Sequence, residues 1–295
     1  MQLSDNARGV VLMTVAMAAF TLNDTAMKLV MQSVPLFQAI GLRGLLATLV
    51  LLVLGWRMGG LRLKLPRRDL WLLALRSLAE VLGTLTFLAA LNHMPLANLS
   101  AILQVLPLAV TLAAALFLGD RVGWRRMTAI VVGFIGVLII IRPGPKGFDL
   151  WALMGLASVA CVVVRDLTTR RMSASLPSVT VALSAAVTVL AMGGLGTVIQ
   201  GWHPVGGREW LLLFAAASAL IVGYLTVVMT MRVGEISFVA PFRYTALLWA
   251  MALDFLIFGH LFDALTMIGA ALVVATGIFT FWRERQIVRA RLPGA

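Results

Sequence analysis

Charge is scarce in this chain: 12% of its 295 residues are Asp, Glu, Lys or Arg, while 61% are hydrophobic. A soluble domain carries roughly a quarter charged residues, so a water-soluble fold is excluded. Acidic residues are the scarcer sign, 12 against 24 basic ones, leaving a net charge of +12. This excess does not signal nucleic-acid binding. The basic residues form short clusters at the ends of apolar spans, with no long basic run and no separate polar domain. The single cysteine, Cys161, lies within a span and excludes an intrachain disulfide. The three histidines, His93, His203 and His260, fall at or beyond span ends, and no H-E-x-x-H or similar metal spacing occurs. Neither a metal nor a cofactor is expected, and a membrane-embedded enzyme is only a remote alternative.

Long apolar runs are what the chain has in abundance. Ten of them, near 8–32, 35–55, 70–92, 96–118, 124–141, 149–171, 178–199, 209–231, 236–258 and 264–282, approach the ~20 residues that cross a ~30 Å hydrocarbon core. Backbone polar groups must be satisfied inside lipid, so each is expected to be a helix. The first run carries Asp5 and Arg8 ahead of it and lacks a small-residue cleavage site, which marks a retained span rather than a signal peptide. Gly or Pro punctuates many of the connections, as at Pro35, Gly59-Gly60, Pro95, Pro143-Gly144-Pro145, Pro177, Pro204 and Gly206-Gly207.

Positive charge in the loops is one-sided. Of 24 Lys and Arg residues, only Arg142, Lys146 and Arg208 fall in loops of one face, while clusters such as Arg57 to Arg68, Arg121 to Arg126 and Arg283 to Arg291 mark the other. The positive-inside rule then places both termini in the cytoplasm. Five helices form each half, and because five is odd the second half enters from the opposite side. Leu12-Met13 aligns with Leu153-Met154, Pro35 with Pro177, Gly119 with Gly259 and Gly136 with Gly277, all at nearly one offset. The fold expected is all-α membrane, ten transmembrane helices as two inverted five-helix repeats, residues 1–145 and 146–295. Such repeats place a substrate site near the bilayer midplane.

The ends of the two halves carry a family resemblance. Residues 94–142 and 233–283 each show a polar helix start, a proline inside the helix (Pro107, Pro241), an aliphatic and aromatic stretch closed by glycine, a short loop and a glycine-bearing last helix. His260 stands in the second loop where Asp120 stands in the first, so a shared essential role for that loop residue is not expected. Over essentially its whole length the chain resembles the drug/metabolite transporter superfamily, in particular its EamA-type ten-helix members, and most closely exporters of aromatic amino acids. The resemblance implies a bacterial inner-membrane exporter of amino acids and related small metabolites working by alternating access. Its implied partners are a small-molecule substrate, the lipid bilayer and, as one option, a second copy of the chain. A carrier of phosphorylated metabolites or nucleotide sugars is the nearest alternative.

Ionisable residues inside spans are costly and are therefore expected to face the protein interior. Asp24 and Arg43 lie equally far from the turn joining the first two helices, and Lys28 is expected to snorkel to the outer interface. Arg76 and Glu80, at i,i+4, share a face with Thr84 and Phe87. Arg165, Asp166 and Arg243 join Arg76 in the inner half of the membrane as a candidate gate. Ser100, Gln104, Pro107 and Thr111 recur at helical spacing, with Ser237, Pro241 and Tyr244 as the matching stripe and Trp249 beyond it. The candidate substrate-binding set is thus Thr21, Asp24, Glu80, Thr84, Gln104, Tyr244 and Trp249, and the candidate gate or ion-pair set is Arg43, Arg76, Arg165, Asp166 and Arg243. Each also has a structural reading: pairs that hold helices together, and small polar residues as interhelical glue.

Overall fold

The computed structural model describes residues 5–57, 65–119, 123–142, 149–173, 176–233, 239–261 and 263–291. Its helices are α1 (Asp5–Val30), α2 (Leu36–Arg57), α3 (Arg67–His93), α4 (Leu96–Leu103), α5 (Leu106–Leu118), α6 (Trp124–Ile141), α7 (Leu150–Arg170), α8 (Ser178–Gln200), α9 (Gly207–Val233), a 3-10 turn (Ala240–Tyr244), α10 (Thr245–Phe258) and α11 (Ala264–Arg291). No strand occurs among the described residues. Eight helical stretches among them are long and apolar enough to cross a bilayer, and the shorter Met127–Ile141 and Ala264–Thr280 complete the expected ten. Trp56, Trp71, Trp124, Trp202 and Trp282 are all exposed near helix ends, as interfacial anchors require. The boundary at 145/146, the loop residue Asp120, Ser237 of the ninth-span stripe, and Arg62 and Lys64 of the basic cluster lie outside the described residues.

Two spans depart from single helices. The fourth breaks at Gln104-Val105, between α4 and α5, because Pro107 has no N–H to offer the carbonyl four residues back. The chain tightens there instead, with Val105 N–H donating to Ile102 O at 3.2 Å. The stripe drawn through this span is accordingly split: Ser100 and Gln104 are buried on α4 and at the break, while Pro107 and Thr111 are half-buried on α5. Pro241 acts alike in the ninth span, which opens as the 3-10 turn before α10. Both spans close on a left-handed glycine, Gly119 at φ 74° and Gly259 at φ 69°.

The chain groups into two compact units. One comprises residues 23–93 and 154–218. Here α2 lies against α8 along most of its length, and α3 also packs on α8. Glycine permits the close approach: a Cβ on Gly193 would collide with the Gly41 backbone, and one on Gly196 with the Phe37 ring. At the end of this pair Gln38, 1% exposed, donates from Nε2 to His203 O at 2.8 Å and accepts from His203 N–H at 3.0 Å. One side-chain amide thereby satisfies both backbone groups of a loop residue.

The other unit comprises residues 1–22, 94–153 and 219–295. Its closest pair is α6 with α11, where a Cβ on Gly136 would lie 2.8 Å from Gly269 O and one on Gly269 2.6 Å from Gly136 O. Met13, Ala16 and Met17 of α1 form an apolar core with Val239, flanked by Phe20, Val227, Phe242 and Ala246. The end of α6 is tied to the start of α11 by Arg142, whose Nη2 donates to Asp263 Oδ1 and, at 3.2 Å, to Thr266 Oγ1. Asp263 also caps α11, accepting from Thr266 N–H at 2.7 Å. That cap, then the Arg142 guanidinium, lowers the Asp263 pKa below its ordinary 3.8. A depressed carboxylate contributes stability that is complete above the ordinary value and lost as pH falls through the depressed one. Asp263→Asn is therefore expected to lower the melting temperature in detergent more at pH 7 than at pH 2. An equal loss at both values would remove the charge from the account.

Candidate substrate site

The helix pair α3 and α7 carries polar rungs along facing sides. Asp69 Oδ1 accepts from Ser173 N–H at 3.2 Å, and Arg76 Nε donates to Thr169 Oγ1 at 3.1 Å. One turn further Glu80 stands between two guanidiniums: Oε2 is 3.7 Å from Arg76 Nη2 and Oε1 is 3.6 Å from Arg165 Nη1. Beyond it Gly83 lies against Cys161, with room for a Cβ only at 3.3 Å from the cysteine Cβ. Positions 76, 80 and 83 on one helix and 161, 165 and 169 on the other recur every three or four residues, which holds each set on one helical face. Arg165 is further engaged by its neighbour Asp166, at 3.0 Å from both Nε and Nη2.

Two Arg and two acids leave this cluster without net charge, as a group within a bilayer requires. The sequence pairing of Arg76 with Glu80 holds. The second partner of Glu80 is Arg165, four helices along the chain, while Arg243 belongs to the other unit, exposed on the 3-10 turn. Thr84 is half-buried one turn past Glu80 on α3.

A second charged group lies where α1 and α2 approach their shared turn. Asp24 is half-buried, accepts from Asn23 Nδ2 at 2.9 Å and is within electrostatic range of Arg43. Asn23 is 3% exposed, and its Oδ1 has no hydrogen-bond partner among the described residues. A buried amide oxygen without a hydrogen-bond partner among the described residues, next in the chain to a carboxylate, leaves acceptor capacity at this point of α1. Asn23 was absent from the residues singled out in the sequence, although its position beside Asp24 was the available signal. Lys28 departs from expectation: it is 8% exposed, so it is packed into the protein rather than extended to the interface.

The remaining candidates, in the other unit, have mainly structural surroundings. Thr21 is buried and spends its hydroxyl proton on Met17 O at 2.8 Å. Tyr244 is buried with its ring and hydroxyl over Gly277, where any Cβ would collide with it. Gln104 sits buried at the α4–α5 break, and Trp249 is exposed on α10. Phe20 and Tyr224 meet edge-on at 5.4 Å, over the space that Gly223 leaves open. Among the described residues no group of His, Cys, Asp or Glu is arranged to hold a metal ion.

Several known proteins similar to this chain are transporters by name. Residues 7–142 match the model of the EamA-like transporter family. Through that segment the chain is similar to the EamA-like transporters. A pseudopaline exporter of Pseudomonas aeruginosa is 26% identical over 276 residues, covering 92% of this chain and 94% of that protein. A riboflavin transporter of Vibrio cholerae is 26% identical, with 79% and 78% covered, and an S-adenosylmethionine uptake transporter of Rickettsia felis is 24% identical, with 72% of each covered. A crystal structure with 19% identity superposes at a TM-score of 0.63 over 96% of this chain and 99% of that one, which shows a shared fold. This EamA-like protein is thus a multi-pass membrane transporter of small metabolites. The named relatives are not aromatic amino-acid exporters, so the narrower resemblance drawn from sequence reduces to the family and its superfamily.

Proposed function

We propose that this EamA-like transporter exports amino acids and related zwitterionic metabolites, bulky and aromatic ones best, across the bacterial inner membrane by alternating access, with both termini cytoplasmic. The observation that carries the reading is the trio Asn23, Asp24 and Arg43, with its open buried amide oxygen, carboxylate and guanidinium. An α-amino acid presents one ammonium and one carboxylate. The acceptor pair suits the first, and a planar guanidinium suits the second. The relatives' named substrates add support, since S-adenosylmethionine is an α-amino acid and both it and riboflavin carry large flat rings.

The phosphorylated-metabolite reading is weaker on the same geometry. A doubly charged phosphate calls for unclaimed cations, whereas Arg76 and Arg165 already face Glu80 and Asp166. The inverted five-helix halves remain part of the proposal, supported by the pairing of α2 with α8 and of α6 with α11, elements that hold the same rank in each half.

Purified protein in liposomes is expected to carry labelled phenylalanine or tyrosine well above empty vesicles. Uptake of sugar phosphates with no amino acid moved across a broad panel would reverse the assignment. Glu80→Gln, in the same assay, leaves Arg76 and Arg165 facing each other without an anion between them. It is expected to slow transport at least several-fold while folded yield stays close to wild type. An unchanged rate across pH would confine Glu80 to a structural role.

A further inference from the structure

Asp254 lies within the membrane span of α10 and is 0% exposed, yet among the described residues no Lys or Arg pairs with it. Its carboxylate is held at two points. Oδ2 accepts the Ala97 N–H in the first turn of α4 at 3.1 Å, and Oδ1 lies 2.9 Å from Nδ1 of His260. The α4 turn has no side-chain cap of its own, because Pro95 occupies the cap position. The local backbone brings the histidine back: Gly259 turns left-handed, and His260 N–H donates to Asp254 O at 3.3 Å. The imidazole then stacks on Phe258 at 6.1 Å and 14°, its side chain 43% exposed. A buried carboxylate is thereby wired to an accessible imidazole. At the matching positions of the first half, the sequence has Ala114 and Asp120.

We infer that Asp254 and His260 together form a proton-binding site that locks the α4–α10 junction. An unpaired carboxylate in a low-dielectric interior is costly. The pair relieves that cost by holding one proton, whichever of the two groups carries it. Loaded, the site is an ion pair or its neutral tautomer, and the junction is closed. Unloaded, Asp254 keeps only the Ala97 N–H and the α4 N-terminus as counter-charge, so states that hydrate it are favoured and the first turn of α4 loosens.

Imidazole is the side chain that ordinarily changes charge near neutral pH, so physiological acidification is the relevant trigger. Other titratable groups near this junction are few. Residues 96–103 of α4 contribute none, and His93 ends α3 just ahead of α4 with its Nδ1 2.9 Å from Ala89 O. The 3-10 turn contributes Arg243 and Tyr244 at the far end of α10, and Asp263 is engaged by Arg142, so His93→Gln is expected to keep the pH step. The charge distribution places this end of α10 outside, so the proton would come from the exterior. Only the use of that proton in a transport cycle rests on the function proposed above.

Amide hydrogen exchange of the full chain in lipid nanodiscs tests the site without any substrate. After correction for intrinsic chemistry, exchange of residues 96–103 is expected to rise about tenfold between roughly pH 5 and 8. His260→Gln removes that step, and Asp254→Asn, which keeps the shape and an acceptor for Ala97, gives a pH-independent profile. A flat wild-type profile, or a step that survives in His260→Gln, overturns the proposal. Labelled phenylalanine in the same preparation separates the two readings. Failure to move it, with the exchange step intact, counts against the amino-acid assignment and supports the proton site.

Discussion

Gly193→Ala is expected to lower the melting temperature and the folded yield sharply, while Gly194→Ala is silent. The two glycines are adjacent on α8 and differ in what a methyl group would meet. At Gly193 it would collide with the N and Cα of Gly41 and lie 2.9 Å from Phe37 O, all backbone atoms of α2. Backbone cannot rotate aside as a side chain can, so relief requires separating the two helices along their closest contact. Overpacking costs typically about 1–3 kcal/mol, occasionally more, and this site belongs at or above the upper end. At Gly194 nothing lies within 4 Å. Thermal unfolding in detergent, read by tryptophan fluorescence or size-exclusion recovery, checks the pair. Equal melting temperatures for the two variants would show that α2 and α8 adjust freely, contrary to backbone contact.

That contrast also marks where sequence reading reaches and where it stops. The helices were legible because hydrocarbon imposes length and apolarity on every span, and the breaks at Pro107 and Pro241 because a missing N–H acts locally. Arg76 with Glu80 was legible because i,i+4 neighbours meet whatever the tertiary fold. Arg165 on the same carboxylate was not, since α7 reaches α3 only through packing. Gln38 was silent for another reason: its partners are the backbone N–H and C=O of His203, which carry no residue signature. Asp254 was missed in the sequence although it is an in-span acid like Asp24 and Glu80, and a shared essential role for His260 is not expected because its counterpart in the first half differs. Lys28 shows the converse error, since length and position favour snorkelling and only burial reveals that the chain is packed. Which of the two glycines at 193 and 194 matters is likewise invisible until the facing backbone is in place.

The substrate trio yields the sharpest functional expectation, because its members would recognise different ends of one molecule. Removing a charged hydrogen-bond partner of a ligand costs roughly 1.5–3 kcal/mol, which is about 10- to 150-fold in affinity. Asp24→Asn is therefore expected to raise the KM for phenylalanine by about that factor and to spare its deaminated analogue phenylpropionate, which offers no ammonium. Arg43→Gln is expected to do the reverse, weakening phenylalanine and sparing phenethylamine, which offers no carboxylate. A purely structural pair between α1 and α2 predicts another pattern. Each single change would then lower stability and affect all three compounds alike, and the double neutral variant would restore folding and transport together. Competition by the three compounds against labelled phenylalanine in proteoliposomes, run beside melting curves of the same samples, distinguishes the two. Crossed specificity with near-native melting assigns the ammonium to Asp24 and Asn23 and the carboxylate to Arg43, whereas parallel losses confine the trio to holding the helices.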